Sequence, residues 1–367
     1  MAVLALDFTL DPKLSETDSS LSVTATNIEK SMKEVLLDLS LVTTFNLEGG
    51  LVKIFTADGG SVVNLRLFPT GLVSLSVDYF KGDKDNSSAT LEMVQKLESN
   101  IIKTISGIKW TRSLPSIQPD KALRYYLTSD SRVIEYDIDK LVFEEVTPYQ
   151  KVQIVHSTTL GNILVLDNLQ NLSEADLVYT ETLMQRGKEN YKDKSILILG
   201  GGDGALLYEL LKEQPKEVIM LEIDEVVMKA CAKYMRSVCG TVLDNYEGPN
   251  YKIIVGDCMP SLEQYAKEGK KFDYIFGDLT DVPISVDQSK ELWSFINQAL
   301  VLSFSVLKAD GKFMTHVTGT SSWSALDLYA KQLKNIYPPV KFTMDKAFVP
   351  SFYEEWIFCQ IGFESKE

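Results

Sequence analysis

The sequence predicts an α/β chain with a doubly wound C-terminal domain, preceded by a small antiparallel β domain and an N-terminal α+β domain. Three observations predict it. Between residues 195 and 317, near-continuous apolar runs alternate with helix-forming runs, the pattern of a parallel sheet covered on both faces. The first of these runs feeds a glycine cluster, "ILILGGGDGALLY" over residues 196–208, as at the opening strand-turn-helix of such a sheet. Before residue 172 the apolar positions alternate in short segments bounded by turn residues, which reads as antiparallel strands.

Taken in order, "TNIEKSMKEVLLDLSL" (26–41) spaces its apolar residues as an amphipathic helix. "LVKIFTADGGSVVNLRLFP" (51–69) predicts a hairpin turning through Asp58, Gly59 and Gly60, and "GLVSLSVDYF" (71–80) a third strand. A second helix, "SATLEMVQKLESNIIKTI" (88–105), completes an αβββα domain over 1–108. Residues 109–121, "KWTRSLPSIQPDK", carry two prolines and little periodicity, and so are expected as a linker. Residues 122–171 hold "RVIEYDIDKLVFEEV", "QKVQIVHS" and "GNILVLDN", three or four strands of a small antiparallel domain. From 172 to 367 the parallel strands are "SILILG", "EVIMLEID", "YKIIVGD", "FDYIFGD" and "GKFMTHV". "VKFTMDKAFV" and "EWIFCQIGF" follow as an antiparallel edge hairpin.

Composition narrows the function. The chain has 367 residues, 45% of them hydrophobic, and 51 Asp and Glu against 37 Lys and Arg. A net charge of -14 argues against a nucleic-acid footprint, which needs a basic face. No run reaches the length of a membrane span, and the N-terminus has no basic segment ahead of an apolar one, so no membrane association and a cytoplasmic location are expected. Four cysteines in no paired framework suit a reducing compartment. The two histidines, His156 and His316, stand in no metal-binding or triad pattern; both are expected to be structural, and no metal is expected.

Ligands of a doubly wound sheet lie at the carboxyl ends of its strands. There the chain places Asp203, Glu222, Asp257 and Asp278 after four consecutive strands. Aspartate also favours turns and helix starts, so any one of them has a structural explanation. Glu222, about 20 positions beyond the glycine turn, fits the ribose hydroxyls of a nucleoside. Asp257 fits an adenine amino group, and the Cys258 backbone N–H a ring nitrogen. The spacing of Gly200, Gly202 and Ala205 satisfies a dinucleotide fingerprint, but Asp203 puts a carboxylate where a pyrophosphate would sit. A class I methyltransferase would share the fold and Glu222, yet would bring a methionine carboxylate toward Asp203. A sulfonium nucleoside with an ammonium tail suits Asp203 and Asp278, and the nearby Asp281 suggests an amine as second substrate.

These residues resemble the aminopropyltransferases, and within that family the spermine synthase form. The resemblance covers most of residues 120–367, through "RVIEYDID", "TPYQKVQIVHS", "LVYT", "LILGGGDG", "EIDEVV", "CGTVLDN", "FDYIFGDLTDVPIS" and "VPSFYEEW". It implies a Rossmann-like, class I methyltransferase-like catalytic domain, and an N-terminal domain that resembles a decarboxylase fold and mediates homodimerisation. It implies decarboxylated S-adenosylmethionine as a co-substrate, with no separate cofactor, and spermidine as acceptor, with spermidine synthesis from putrescine as the alternative. Carried over by motif, Gln150, Asp203, Glu222, Asp257 and Cys258 hold the donor. Tyr179, Asp203, Asp278 and Glu354 hold the acceptor, and Asp278, Asp203 and Tyr179 serve the reaction. Where the family tends to carry Tyr, this chain has Phe352 followed by Tyr353; either Tyr353 supplies the hydroxyl or that contact is lost.

Overall fold

The computed structural model describes residues 2–80, 89–118, 123–130, 132–279, 290–336 and 338–364, and the chain divides into two units, Met1–Ala122 and Leu123–Glu367. Among the described residues no helix is long and apolar enough to cross a membrane.

The first unit begins with a strand absent from the sequence reading, β1 (Ala2–Leu10). Its period-2 pattern buries Ala2, Leu4, Leu6, Phe8 and Leu10 on one face. Helix α1 (Asp18–Lys33) starts earlier than expected. The Thr17 hydroxyl accepts from the Ser20 N–H at 3.1 Å, and this cap fixes the helix start, so Leu21, Ala25, Ile28 and Met32 form the buried stripe. The expected helical residues 34–41 instead lead into β2 (Ser40–Leu47). Strands β3 (Gly50–Ala57), β4 (Ser61–Leu67) and β5 (Leu72–Tyr79) then form the expected hairpin and third strand. Helix α2 (Leu91–Thr104) buries Val94, Leu97 and Ile101 in the same core.

The expected linker is a correction. Residues up to Ile117 form β6 (Ile108–Ile117), antiparallel to β1 with Asp7 opposite Arg112 and Phe8 opposite Thr111. The described sheet runs β2-β3-β4-β5-β1-β6. Pro115 is tolerated because β6 lies at an edge and its register slips between the Leu114 and Ile117 pairings. At the other edge, β2 leaves Leu41, Val42, Phe45 and Leu47 exposed.

In the second unit, β7 (Tyr125–Leu127) pairs with β8 (Val133–Glu135). A four-stranded antiparallel sheet follows from β9 (Ile138–Val146), β10 (Lys151–Ser157), β11 (Gly161–Leu166) and β12 (Leu169–Ser173), in the order β12-β11-β10-β9. Asp167 and Asn168, both at positive φ, make the two-residue turn joining β11 to β12. Helix α3 (Leu177–Leu183) leads into the doubly wound part.

That part comprises β13 (Ser195–Gly200), α4 (Ala205–Lys212), β14 (Glu217–Glu222), α5 (Glu225–Tyr234), α6 (Arg236–Cys239), β15 (Glu247–Gly248), β16 (Tyr251–Val255), α7 (Cys258–Glu268), β17 (Phe272–Asp278), α8 (Lys290–Val306), β18 (Leu307–Gly319), α9 (Trp323–Leu333), β19 (Val340–Val349) and β20 (Glu354–Phe363). Among the described residues the sheet order is β15-β16-β14-β13-β17-β18-β20-β19. Pairing is parallel from β16 through β18 and antiparallel at both edges. One apolar core lies on each face: Ile196, Ile198 and Met220 point into the first, Leu197, Leu199 and Ile275 into the second. Neighbouring residues of one strand feed opposite cores, which is why these strands read as unbroken apolar runs.

Candidate functional site

The carboxyl ends of the central strands open into a cavity of about 360 Å³. Strand β13 ends at Gly200, whose φ of +80° turns the chain away from the sheet. A Cβ there would lie 2.0 Å from the carbonyl oxygen of Asp278, the last residue of the neighbouring β17. The glycine turn and Asp278 are thus held together through backbone contact, and the Gly201 N–H donates to that same carbonyl at 3.2 Å.

Asp203 follows in the turn. Its Oδ1 accepts from the Ala205 N–H at 2.7 Å, which fixes the carboxylate at the start of α4. Burial pushes its carboxyl up to about 7, and the charges of Asp278 and Glu222 add to the rise against that one backbone hydrogen bond. Glu222, at the end of β14, is also raised to about 7, mainly by burial, while the Asp224 N–H opposes the rise by donating to Oε1 at 2.7 Å. A Cβ on Gly202 would come 2.9 Å from the Glu222 carboxyl carbon. The third glycine therefore gives Glu222 room to face the cavity.

Asp257 and Cys258 stand where β16 passes into α7. Asp257 caps the helix by accepting from the Met259 N–H at 2.9 Å and lines the cavity beside Cys258. Burial lifts the Cys258 thiol to about 11, so it stays protonated. Gln150 also lines the cavity, and its amide donates to Asp224 Oδ2 at 3.1 Å. Tyr179, on α3, is buried against the rings of Phe352 and Phe358 with centroids 6.0 and 5.1 Å away. The structure therefore brings Gln150, Tyr179, Asp203, Glu222, Asp257, Cys258 and Asp278 to one cavity.

Glu354 and Tyr353 do not line it among the described residues. Glu354 is buried, with Oε1 accepting from the Ser129 N–H at 3.0 Å and lying 3.8 Å from Arg132. Tyr353 takes a left-handed backbone with φ of +52° that turns its side chain outward, where its ring packs 5.4 Å from Tyr136. Phe352 is the residue of that pair facing the cavity. Asp281 lies outside the described residues.

Three residues escaped the sequence reading. Asp224 is buried beneath the site: Oδ1 caps α5 through the Val226 N–H, and Oδ2 accepts from Thr147 at 2.8 Å as well as from Gln150. Its signal was the D-E-V start of a helix, legible as a cap but not as a support for Gln150. Asp167 enters from the β11–β12 turn, which the D-N pair announces. The third is His316, expected from its sequence context to be structural. It is buried, lines the cavity and lies with Nε2 3.8 Å from Asp278 Oδ1. Only the parallel pairing of β17 with β18 brings the two together.

The described lining contains five carboxylates, Asp167, Asp203, Glu222, Asp257 and Asp278, and neither lysine nor arginine. Such a cavity attracts cations and repels a phosphate or carboxylate tail.

A family model described as "Spermine/spermidine synthase domain" matches residues 176–367, and one described as "Spermidine synthase tetramerisation domain" matches residues 125–174. The chain is 29% identical over 225 residues to polyamine aminopropyltransferase 1 of Hyperthermus butylicus, spanning 59% of this chain and 73% of that protein. It is 31% identical over 207 residues to the polyamine aminopropyltransferase of Thermoanaerobacter sp. strain X514, spanning 55% and 70%. The crystal structure of spermidine synthase from Thermotoga maritima superposes with a TM-score of 0.52 at 20% identity, over 66% of this chain and 79% of that one. A spermidine synthase in complex with the transition-state analogue AdoDATO gives 0.53 at 22%, over 66% and 80%. At these identities the two structures speak to the fold, which is Rossmann-like as expected.

Proposed function

This chain belongs to the spermine/spermidine synthase family, and from that premise we propose that it transfers the aminopropyl group of decarboxylated S-adenosylmethionine to spermidine, giving spermine and methylthioadenosine. The observation that carries this reading is the convergence of Asp203, Glu222 and Asp278 in one cavity whose described lining has no lysine or arginine. Glu222 takes the ribose hydroxyls, Asp257 and the Cys258 backbone the adenine, and Gln150 flanks the nucleoside. Asp203 takes the donor's ammonium. A carboxylate tail at that position would face Asp203 and Asp278 together, which disfavours ordinary S-adenosylmethionine and methyl transfer.

The reaction is a direct displacement. The acceptor ammonium, ordinarily titrating near 10, gives a proton to Asp278, with Tyr179 orienting the amine. Its lone pair attacks the carbon next to the sulfonium, and the C–S electron pair leaves with sulfur as a neutral thioether. Holding both reactants in line contributes roughly 7–11 kcal/mol of barrier reduction in the best cases. The catalytic work rests on placement and charge.

Spermidine over putrescine rests on the resemblance of "DLTDVPIS" to the spermine synthase form. Homodimerisation through the N-terminal unit is part of the reading, supported by the exposed apolar residues of β2. A reducing cytoplasm suits the four buried thiols. The test is incubation with decarboxylated S-adenosylmethionine and each amine separately, with products identified by mass. Transfer to putrescine alone removes the spermine assignment, and methylation from ordinary S-adenosylmethionine removes the class.

A further inference from the structure

His316 is the one imidazole lining the cavity, and its position follows from the sheet rather than from any motif. Strand β18 runs parallel to β17, with Thr315 opposite Gly277, so His316 comes beside Asp278. The backbone is pinned there, because the Thr315 hydroxyl donates to the Gly277 carbonyl at 2.7 Å and reaches the His316 carbonyl at 3.0 Å. On the next strand Phe358 is its register partner, and the Tyr179 ring lies 5.9 Å from the imidazole. The ring is therefore buried, fixed, and 3.8 Å from a carboxylate oxygen.

The titratable groups facing His316 are Asp278 on β17, Tyr179 on α3 and Tyr329 on α9, with Asp203 beyond Asp278 in the glycine turn. Strand β20 and helix α8 present the uncharged rings of Phe358 and Phe295.

We propose that His316 receives from Asp278 the proton shed by the attacking amine, making the Asp278–His316 pair a two-step proton relay. The inference rests on the aminopropyl-transfer reading above. The balance requires such an acceptor: an ammonium and a sulfonium become a secondary ammonium, a neutral thioether and one free proton. A proton drawn from a group near 10 has to pass on from the first carboxylate to a base in reach of it, and imidazole is the side chain ordinarily suited to take and release one near neutral pH. The proton passes from the amine to the Asp278 carboxylate, then to Nε2, and leaves to solvent as product departs. A separation of 3.8 Å needs only a small closure for the second transfer.

The test compares kcat against pH for the parent, H316Q and H316A. Glutamine keeps comparable size and hydrogen bonding but cannot titrate. H316Q is expected to lower kcat about 10-fold at neutral pH and to lose one ionisation between about pH 5 and 8, with donor Kd within about 2-fold. Added imidazole is expected to restore turnover of H316A, a response that packing alone does not produce. A parent that transfers normally, with an H316Q profile of the same shape, overturns the relay and leaves the activity standing. A parent that transfers to neither amine removes the activity and the relay together.

Discussion

Gly202 has no side chain where a Cβ would lie 2.9 Å from the carboxyl carbon of Glu222. The two residues are 20 positions apart, at the ends of adjacent parallel strands. Gly202→Ala is therefore expected to turn Glu222 away from the ribose position. Donor Kd should rise about 10-fold or more, since displacements near 1 Å are costly in a positioned site. Calorimetric titration with decarboxylated S-adenosylmethionine checks this; unchanged affinity would mean that Glu222 does not hold the donor as argued.

Asp203 predicts a pH-dependent stability. Its carboxyl is raised to about 7 by burial first and by Asp278 second, whereas in the unfolded chain it titrates near 4. Between those values the folded state binds the extra proton, so stability falls as pH rises from about 4 to 7. Asp203→Asn removes that loss. The ligand-free variant should match the parent near pH 4 and melt several degrees higher, about 5 °C or more, at pH 8, measured by thermal denaturation. A constant difference across that range would contradict the shift.

Asp278→Asn keeps the shape of the site but removes the proton acceptor. Turnover should fall about 10²–10⁴-fold while donor Kd changes by less than about 3-fold. Single-turnover kinetics separate the two. A variant with a near-normal chemical step would end the role given to Asp278.

Asp224→Ala removes a helix cap and the acceptor shared by Thr147 and Gln150. Losing the cap costs about 1 kcal/mol, and leaving buried donors unpaired adds about as much again. Denaturation should show a loss of about 2 kcal/mol, and donor titration a weaker Kd from the freed Gln150. Full stability would place the support for Gln150 elsewhere.

Phe352 faces the cavity and Tyr353 faces Tyr136. Accordingly Tyr353→Phe should leave acceptor KM within about 2-fold, whereas Phe352→Tyr, adding a hydroxyl inside, should change it. Steady-state kinetics with saturating donor decide the matter, and a large effect of the Tyr353 change alone would reverse the assignment.

Much of the architecture was legible because local patterns carry it. The parallel strands announced themselves as apolar runs between helices, and the donor-side acids as residues just past strand ends. Strand β1 is equally regular, but its partners, β5 and β6, lie some 60 or more positions away. Strand β6 was hidden because Pro115 is acceptable at a sheet edge and the edge is invisible in sequence. The start of α1 hinges on Thr17 and Ser20, a two-residue cap that the apolar spacing downstream does not reveal.

By itself the sequence determined the class of sheet, the carboxylates at its strand ends and the cationic character of the ligand they favour, because period and charge are properties of neighbouring residues. Only the tertiary structure decided that His316 lies against Asp278, that Asp224 anchors Gln150, and that Phe352 rather than Tyr353 faces the cavity. Those relationships depend on strand register, burial and one backbone turn. They join residues far apart in the chain, 77 positions for Thr147 and Asp224 and 217 for Tyr136 and Tyr353, and no local spacing encodes them.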